Sequence, residues 1–255
     1  MKSLSYPLLA MPRTVSCEAL DHLSAADPVA HRSRQDLARL HQAMNTRAII
    51  VRGWQRLVQV RRSRQPMQVL ELGAGDGTLL LGVARALAPD WPKVRLTLLD
   101  RQALVSAATL AAYARVGWTV RVVTRDVLDW AAPQAATDVT EPAERWDLIS
   151  TALFLHHFQG AELDTVLGAV ASRADRFFAC EPRRAWLALA GSHLVGALGA
   201  NAVTRQDAVL SVQAGFRGQE LSTLWPSPAA AWLSEEHAAG LFSHCFSAQR
   251  GAVAR

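Results

Sequence analysis

Apolar residues recur at steps of three and four in the N-terminal part of the chain. This spacing starts near Asp27 or Ser33 and continues to about Arg62, ending before the polar stretch 61–66. A period of this kind places the apolar side chains on one helical face, so the pattern predicts one or two amphipathic helices. The positions concerned are Leu37, Leu40, Met44, Ala48, Val51 and Val58.

From residue 68 onward, short runs rich in β-branched and apolar residues alternate with helical patterns. The predicted strands are 68–72, 94–99, 119–123, 146–151 and 176–180, the predicted helices are 78–87, 102–115 and 161–171, and a long surface loop is predicted at 131–142. Strands that alternate with helices imply right-handed crossovers, so the fold class is α/β with a doubly wound parallel sheet. The last two apolar segments, 230–236 and 241–249, flank Gly240 and predict two adjacent antiparallel strands.

The composition is that of a folded protein, because 50% of the 255 residues are hydrophobic and 19% are charged. The three cysteines, Cys17, Cys180 and Cys245, are scattered and form no CxxC pair, which argues against a disulfide framework and against a metal site. They fit a reducing cytoplasm. The apolar stretch 185–203 contains His193 and predicts a buried or site-covering helix rather than a membrane span.

The net charge of +5 is unevenly distributed. Residues 1–66 hold 11 Lys and Arg against 4 Asp and Glu, whereas residues 67–255 hold 16 against 18. The basic excess favours a solvated helix face, with an anionic substrate or a nucleic acid as alternatives. A nucleic-acid partner is disfavoured because only Trp54 is available there for stacking on bases.

Glycines follow the first predicted strand in the segment VLELGAGDGT, at Gly73, Gly75 and Gly77. Glycines at a strand-to-helix turn let the backbone approach a ligand, and the next helix offers free N–H groups. The spacing is not G-x-G-x-x-G, because Thr78 takes the third glycine's place, and no phosphate-loop lysine follows. Glu71, just before the glycines, would repel a pyrophosphate and suits an ammonium or sulfonium ligand.

Two more carboxylates follow predicted strands. Asp100 ends the second strand, where it could accept hydrogen bonds from both ribose hydroxyls of a nucleoside. Asp126 follows the third strand and could accept from an adenine amino group. Each alone could equally be a turn or helix cap, but together with Glu71 they describe a pocket for adenosine joined to an amino acid.

The segments ELGAGDG, LLD, RDVLDW and WDLISTALFLHHF, in this order, resemble class I S-adenosylmethionine (SAM)-dependent methyltransferases over residues 67–180. The resemblance implies a Rossmann-like seven-stranded sheet of order 3-2-1-4-5-7-6 with the last strand antiparallel. It also implies SAM as cofactor, held by Glu71, the three glycines and Asp100, together with Arg101, Asp126, Val127 and Thr151. Within this family, the segment ALFLHHF is similar to that of the branch that methylates quinone-like and polyketide-like small molecules. The segment LGANAVTRQDAVLSVQAGF is also similar to members of that branch, but less specifically.

Enzymes that methylate base amines or side-chain amides carry a characteristic turn after the fourth strand. In this sequence its place is taken by TALF, residues 151–154. The resemblance therefore implies an enzyme of the SAM-dependent methyltransferase class that acts on a small-molecule acceptor. We expect O-methylation of a phenolic, quinone-like or polyketide-like acceptor, with C-methylation still open. The alternatives are an RNA methyltransferase that uses the basic N-terminal segment and a SAM-binding scaffold protein without turnover.

A histidine is the usual base for a hydroxyl acceptor. His156 and His157 follow the fourth strand, and Glu181 ends the neighbouring fifth strand. We predict His156 as the base, Glu181 as the carboxylate that orients it, and His157 as an acceptor contact; packed or capping histidines are the alternative. Arg183, His193 and Arg205 are further candidates for contact with the acceptor.

The organisation that follows has an N-terminal helical cap at 1–66 and a SAM-binding core at 67–255. A second cap element is expected as an insertion at about 183–217, which is rich in glycine and alanine. The sequence leaves monomer and homodimer open.

Overall fold

The computed structural model describes residues 11–58, 65–132, 145–226 and 231–251. Within these ranges, seven strands form one sheet of order β3-β2-β1-β4-β5-β7-β6. The strands are β1 (Met67–Leu72), β2 (Val94–Asp100), β3 (Thr119–Thr124), β4 (Leu148–Ala152), β5 (Arg176–Pro182), β6 (Trp232–Ala239) and β7 (Ser243–Arg250). Strands β1 to β5 are parallel, and β7 is antiparallel to both β5 and β6. The predicted fold class and strand order are confirmed.

Helices flank the sheet and extend beyond its carboxyl edge. They are α1 (Pro28–Ala43), α2 (Thr46–Leu57), α3 (Thr78–Leu87), α4 (Ala107–Arg115), α5 (Val127–Ala131), α6 (Gly160–Arg173), α7 (Trp186–His193), α8 (Ala202–Ala214) and α9 (Glu220–Leu224), with 3-10 helices at Ala19–His22, Leu155–His157 and Val195–Leu198. Helix α1 begins where Asp27 accepts the Val29 N–H, as one of the two predicted starts requires. No helix in the described ranges has the length and apolar character needed to cross a membrane.

Two predicted boundaries are wrong for identifiable reasons. Helix α4 begins at Ala107, not at 102, because the Ser106 hydroxyl caps it by accepting from the Thr109 N–H at 3.1 Å. Strand β4 begins at Leu148, not at 146, because Trp146 makes only an isolated bridge to Ala174.

The terminal strand pair is present, but its boundaries lie one to three residues later than predicted. Gly240 has a φ of +76° in the tight turn between β6 and β7, a conformation that side-chain-bearing residues rarely adopt. Residue 230 of the first predicted strand lies outside the described residues, as do 59–64, which include the predicted end of the N-terminal helices. Residues 133–142 of the predicted loop at 131–142 also lie outside the described residues.

Helix α2 packs directly on the sheet. Ile50 and Trp54 are fully buried against it, and a Cβ at Gly53 would lie 2.1 Å from the Phe178 ring, so only glycine fits there. Helix α1 instead joins α8, since Asp36 accepts hydrogen bonds from the Asn201 N–H at 2.9 Å and from the Thr204 hydroxyl at 3.3 Å. Within the predicted cap segment 1–66, α1 therefore contacts α8 of the predicted insertion, and α2 packs on the sheet.

Candidate functional site

The glycine turn lies at the carboxyl ends of β1 and β2. Gly73, Gly75 and Gly77 all have φ between +56° and +73°, the left-handed region that favours glycine. A Cβ at Gly73 would lie 2.2 Å from the ring of Phe154, whereas a Cβ at Gly75 would meet no described atom within 4 Å. The turn is therefore packed on one side, against the segment after β4, and open at Gly75.

Asp100 fixes this turn from the end of β2. One carboxylate oxygen accepts the Gly75 N–H at 2.8 Å and the other accepts the Gln102 N–H at 2.9 Å. Each oxygen retains a second lone pair, so the carboxylate can still accept from a ligand hydroxyl.

Arg101 and Asp126, which were also predicted to contact the cofactor, make hydrogen bonds or ion pairs with other groups of the protein. The Arg101 side chain pairs with the Asp21 carboxylate at 3.2 Å and also donates to the Asp21 carbonyl. Asp126 is exposed and caps α5, accepting the Leu128 N–H at 2.8 Å, and Val127 is buried in the core. The capping alternative considered for Asp126 is thus present in the structure.

Glu71 is buried beside the glycine turn, with 3% of its surface exposed. Its Oε2 has no hydrogen-bond partner among the described residues. Burial raises the pKa of Glu71 to about 8, since a desolvated carboxylate is costly. A cationic ligand group at this point would favour the ionised carboxylate.

Glu181 organises the turn after β4. Leu153 has a φ of +55°, and beyond it the N–H groups of Phe154, Leu155 and His156 all donate to the Glu181 carboxylate at 3.0–3.3 Å. The Thr151 hydroxyl, predicted to face the cofactor, is 3.4 Å from the same carboxylate. Convergent N–H groups of this kind hold an anion firmly. Glu181 therefore builds the turn as well as contacting the histidine ring.

His156 is held between two carboxylates. Its Nδ1 lies 2.9 Å from Glu181 Oε2, the predicted pair, and its Nε2 lies 3.3 Å from Glu18 Oε1. Burial alone lowers the pKa of His156, but the hydrogen bonds to Glu18 and Glu181 outweigh burial and raise the pKa to about 9. The ring is thus an imidazolium at neutral pH while Glu18 is in place.

His157 occupies a different environment. Its ring centroid is 4.2 Å from that of His156, and its Nδ1 is 3.3 Å from Asp21 Oδ2. Burial and the adjacent His156 lower the pKa of His157. The two neighbouring histidines therefore differ in charge at neutral pH, His157 being the neutral one.

Sequence reasoning missed Glu18 and Asp21. Glu18 is 138 residues from His156 along the chain, and no motif links them. One feature of the sequence could have pointed to them: Glu18 and Asp21 are two of only four acidic residues in segment 1–66, and they lie three positions apart in an otherwise basic region.

Glu18, His156 and His157 each present a ligand atom, and these atoms lie within 4.8 Å of one another. A divalent ion could use such a set. Because each nitrogen of His156 is already paired with a carboxylate, we describe the group as a hydrogen-bonded cluster and assign no metal to it.

The predicted acceptor contacts do not converge on one point. Arg183 donates to the Gly240 carbonyl at 3.2 Å in the β6–β7 turn. His193 and Arg205 together line a cavity of about 460 Å³ between α7 and α8. His156 and His157 pair with Glu181, Glu18 and Asp21, and not with Arg183, His193 or Arg205.

Solved structures share the fold. The plantazolicin methyltransferase BpumL, in complex with SAH, has a TM-score of 0.56 at 12% identity, over 89% of this chain and 92% of that one. An O-methyltransferase family protein from Burkholderia thailandensis has a TM-score of 0.56 at 14% identity, over 90% of this chain and 62% of that one. The mitomycin 7-O-methyltransferase MmcR has 0.55 at 14%, over 91% and 60%.

This chain therefore spans about 60% of the length of the last two proteins. No family model matches the sequence, and a search of curated proteins finds no match. At identities this low, the likeness concerns the fold.

Proposed function

We propose that this protein is a SAM-dependent methyltransferase that methylates a small molecule at oxygen. The observation that carries the proposal is the contact between two predicted sites: Phe154, two residues before His156, packs against Gly73 of the glycine turn. A base candidate therefore lies next to the turn that would hold the methyl donor. Ligands of doubly wound folds bind at this carboxyl edge.

Three features of the chain fit SAM. The buried Oε2 of Glu71, which has no hydrogen-bond partner in the described part of the chain, suits the cationic end of SAM. The space at Gly75 admits close approach, and Asp100 retains lone pairs for the ribose. SAM would supply the methyl group, which passes from the sulfonium sulfur to the acceptor oxygen.

The chain's own contribution is to align the acceptor and to receive its proton. Glu181 accepts from Nδ1 of His156, which leaves Nε2 as the nitrogen that takes the hydroxyl proton. Holding both partners in line supplies much of the rate enhancement in such displacements.

The solved structures with this fold support a small-molecule acceptor, since they include a plantazolicin and a mitomycin methyltransferase. We propose a phenolic, quinone-like or polyketide-like acceptor, and a cytoplasmic protein, for which the three free cysteines are the support. We do not propose RNA methylation, because several arginines of the basic segment have partners within the chain: Arg13 binds the Ala214 carbonyl, Arg34 binds Gln102 and Arg39 pairs with Asp36.

The proposal is tested with methyl-labelled SAM and a panel of phenol, catechol, a dihydroxynaphthalene and total RNA. We expect label in a phenolic product and none in RNA. Label in RNA alone would favour the nucleic-acid alternative, and tight SAM binding without transfer to any acceptor would favour the scaffold alternative.

Binding of SAM should release a proton from Glu71. With a pKa of about 8, this carboxyl is mostly protonated near pH 7, and a cationic ligand favours the carboxylate. Calorimetry in buffers of different ionisation enthalpy should therefore detect release of close to one proton at about pH 7, about half a proton near pH 8 and almost none above about pH 9. Glu71→Gln should abolish the release, whereas equal release in this variant would contradict the assignment.

The cap should respond to the acceptor and the sheet edge to the cofactor. We expect SAH to slow hydrogen exchange at 71–77, 100–101 and 126–127, and a bound phenolic product to slow α1 and the insertion 183–217. Because α2 packs on the sheet, its exchange should stay unchanged and serves as the internal control. A product response confined to the sheet edge would contradict the cap assignment.

A further inference from the structure

The N-terminal segment 11–22 crosses the carboxyl edge of the sheet and is fastened to α8 on both sides of Glu18. Before Glu18, the Thr14 N–H donates to the Gln213 carbonyl at 3.1 Å and Arg13 donates to the Ala214 carbonyl at 2.7 Å. After it, the Asp207 carboxylate accepts the N–H groups at the start of the 3-10 helix Ala19–His22, at 2.8 and 3.0 Å.

This fastening brings the Glu18 side chain to the histidine. Its Oε1 lies 3.3 Å from His156 Nε2 and also accepts from the Ser211 hydroxyl. Only 13% of the Glu18 side chain is exposed. The carboxylate is thus enclosed at this position.

The position matters because Nε2 is the nitrogen of His156 that Glu181 leaves available. A base must lie within about 2.6–3.2 Å of the oxygen whose proton it takes. Glu18 Oε1, at 3.3 Å, lies close to where that acceptor oxygen must be. The acceptor hydroxyl and the Glu18 carboxylate cannot both occupy it.

We propose that the Glu18 carboxylate occupies the position that the acceptor hydroxyl needs and is displaced when the acceptor binds. The acceptor hydroxyl must therefore compete with this carboxylate for Nε2 of His156. This inference rests on the proposed function, because it requires His156 to take the acceptor's proton. Glu18 is a gating and positioning residue here, and it takes no part in the transfer itself.

The charges around the ring explain why Glu18 must leave. The charged or titratable groups that face His156 or its immediate partners are Arg13, Glu18, Asp21, His157, Glu181 and Asp207. With carboxylates on both nitrogens the ring is held as an imidazolium, which has no lone pair for a proton. When Glu18 leaves, the pKa of the ring falls, the Nε2 proton passes to solvent, and the remaining carboxylate of Glu181 orients a neutral base.

The first experiment separates a gate from a permanent catalytic partner. Glu18→Gln weakens the charged contact, so KM for catechol should fall by roughly tenfold while kcat is retained or rises. Glu18→Ala should lower KM at least as far. Asp27→Asn is the matched control, because it neutralises a partly exposed carboxylate near the same segment, whose described hydrogen bond caps α1. A tenfold or greater loss of kcat in Glu18→Gln would overturn the proposal.

The second experiment needs no turnover. The pKa of the His156 ring, followed by NMR of histidine-labelled protein and assigned by loss of the signal in His156→Gln, should fall by about 1–3 pH units in Glu18→Gln. It should not move in Asp27→Asn. An unchanged pKa in Glu18→Gln would overturn the proposal.

The two experiments distinguish the failure of either idea. No transfer to any phenol, together with a shifted His156 pKa, would count against the proposed function and leave the Glu18 contact standing. Activity that requires a divalent ion, and that is lost in Glu18→Gln, would overturn the gate, because Glu18 would then be a metal ligand.

Discussion

Replacing His156 with alanine should lower kcat for a phenolic acceptor by about 10²–10⁴, the usual contribution of a general base. The affinity for SAM should remain nearly unchanged, because the ring contacts Glu181 and Glu18 and not the glycine turn. Steady-state kinetics with the labelled donor measures the first quantity, and calorimetric titration with SAM measures the second.

His156 is 98% buried, so a misfolded variant must be distinguished from an inactive one. His156→Asn keeps a polar group beside Glu181 and should show the same loss of kcat with an unchanged melting temperature. His157→Ala is the matched comparison, since this ring lies tilted against that of His156, with 4.2 Å between the centroids, but is paired with Asp21. If His157→Ala is damaging and His156→Ala is silent, the base is His157. If neither matters, the enzyme works by positioning alone.

Glu181 shows how the structure changes an expectation from the sequence. As an orienting residue alone, Glu181→Gln would cost less in kcat than His156→Ala. Its carboxylate, however, also accepts three successive backbone N–H groups. An amide has one acceptor oxygen and adds donors that would face those N–H groups. We therefore expect this variant to lower the melting temperature as well.

The sheet and the His156–Glu181 pair could be predicted because both follow from strand order. Parallel neighbours bring their carboxyl ends to one edge, so residues that follow β4 and end β5 must meet there. The same logic placed Glu71 and Asp100 on either side of the glycine turn. Apolar runs and glycines locate the strands and the turn, whereas the order of the strands is what the resemblance to class I SAM-dependent methyltransferases implies.

Glu18 and Arg183 could not be placed in this way. Glu18 lies outside any regular helix or strand, and its position is set by tertiary hydrogen bonds to α8, which leave no periodic pattern. Arg183 directly follows the buried end of β5, and its side chain reaches the β6–β7 turn instead of the histidines. Residues two apart within a strand share a face, but β5 ends at Pro182 and Arg183 lies beyond it, so closeness in sequence to Glu181 did not imply closeness in space.

Asp100→Ala should weaken SAM binding by about 1–3 kcal/mol, which corresponds to roughly 5–150-fold in Kd. The variant removes the proposed acceptor for the ribose hydroxyls and also frees the Gly75 N–H that the carboxylate holds at 2.8 Å. Calorimetry with SAM and SAH measures the loss. Asp90→Asn, at an exposed carboxylate before the opposite end of β2, is the control and should bind like the wild type.

Because Asp100 also braces the glycine turn, a weaker Kd alone does not prove contact with the ribose. The 2′-deoxy and 3′-deoxy analogues of SAH separate the two causes. The wild type should bind both analogues more weakly than SAH, and Asp100→Ala should no longer distinguish at least one of them. If the folded variant discriminates as the wild type does, Asp100 only shapes the turn. A nicotinamide dinucleotide should bind neither protein, and a micromolar affinity for it would contradict the glycine spacing on which the cofactor assignment depends.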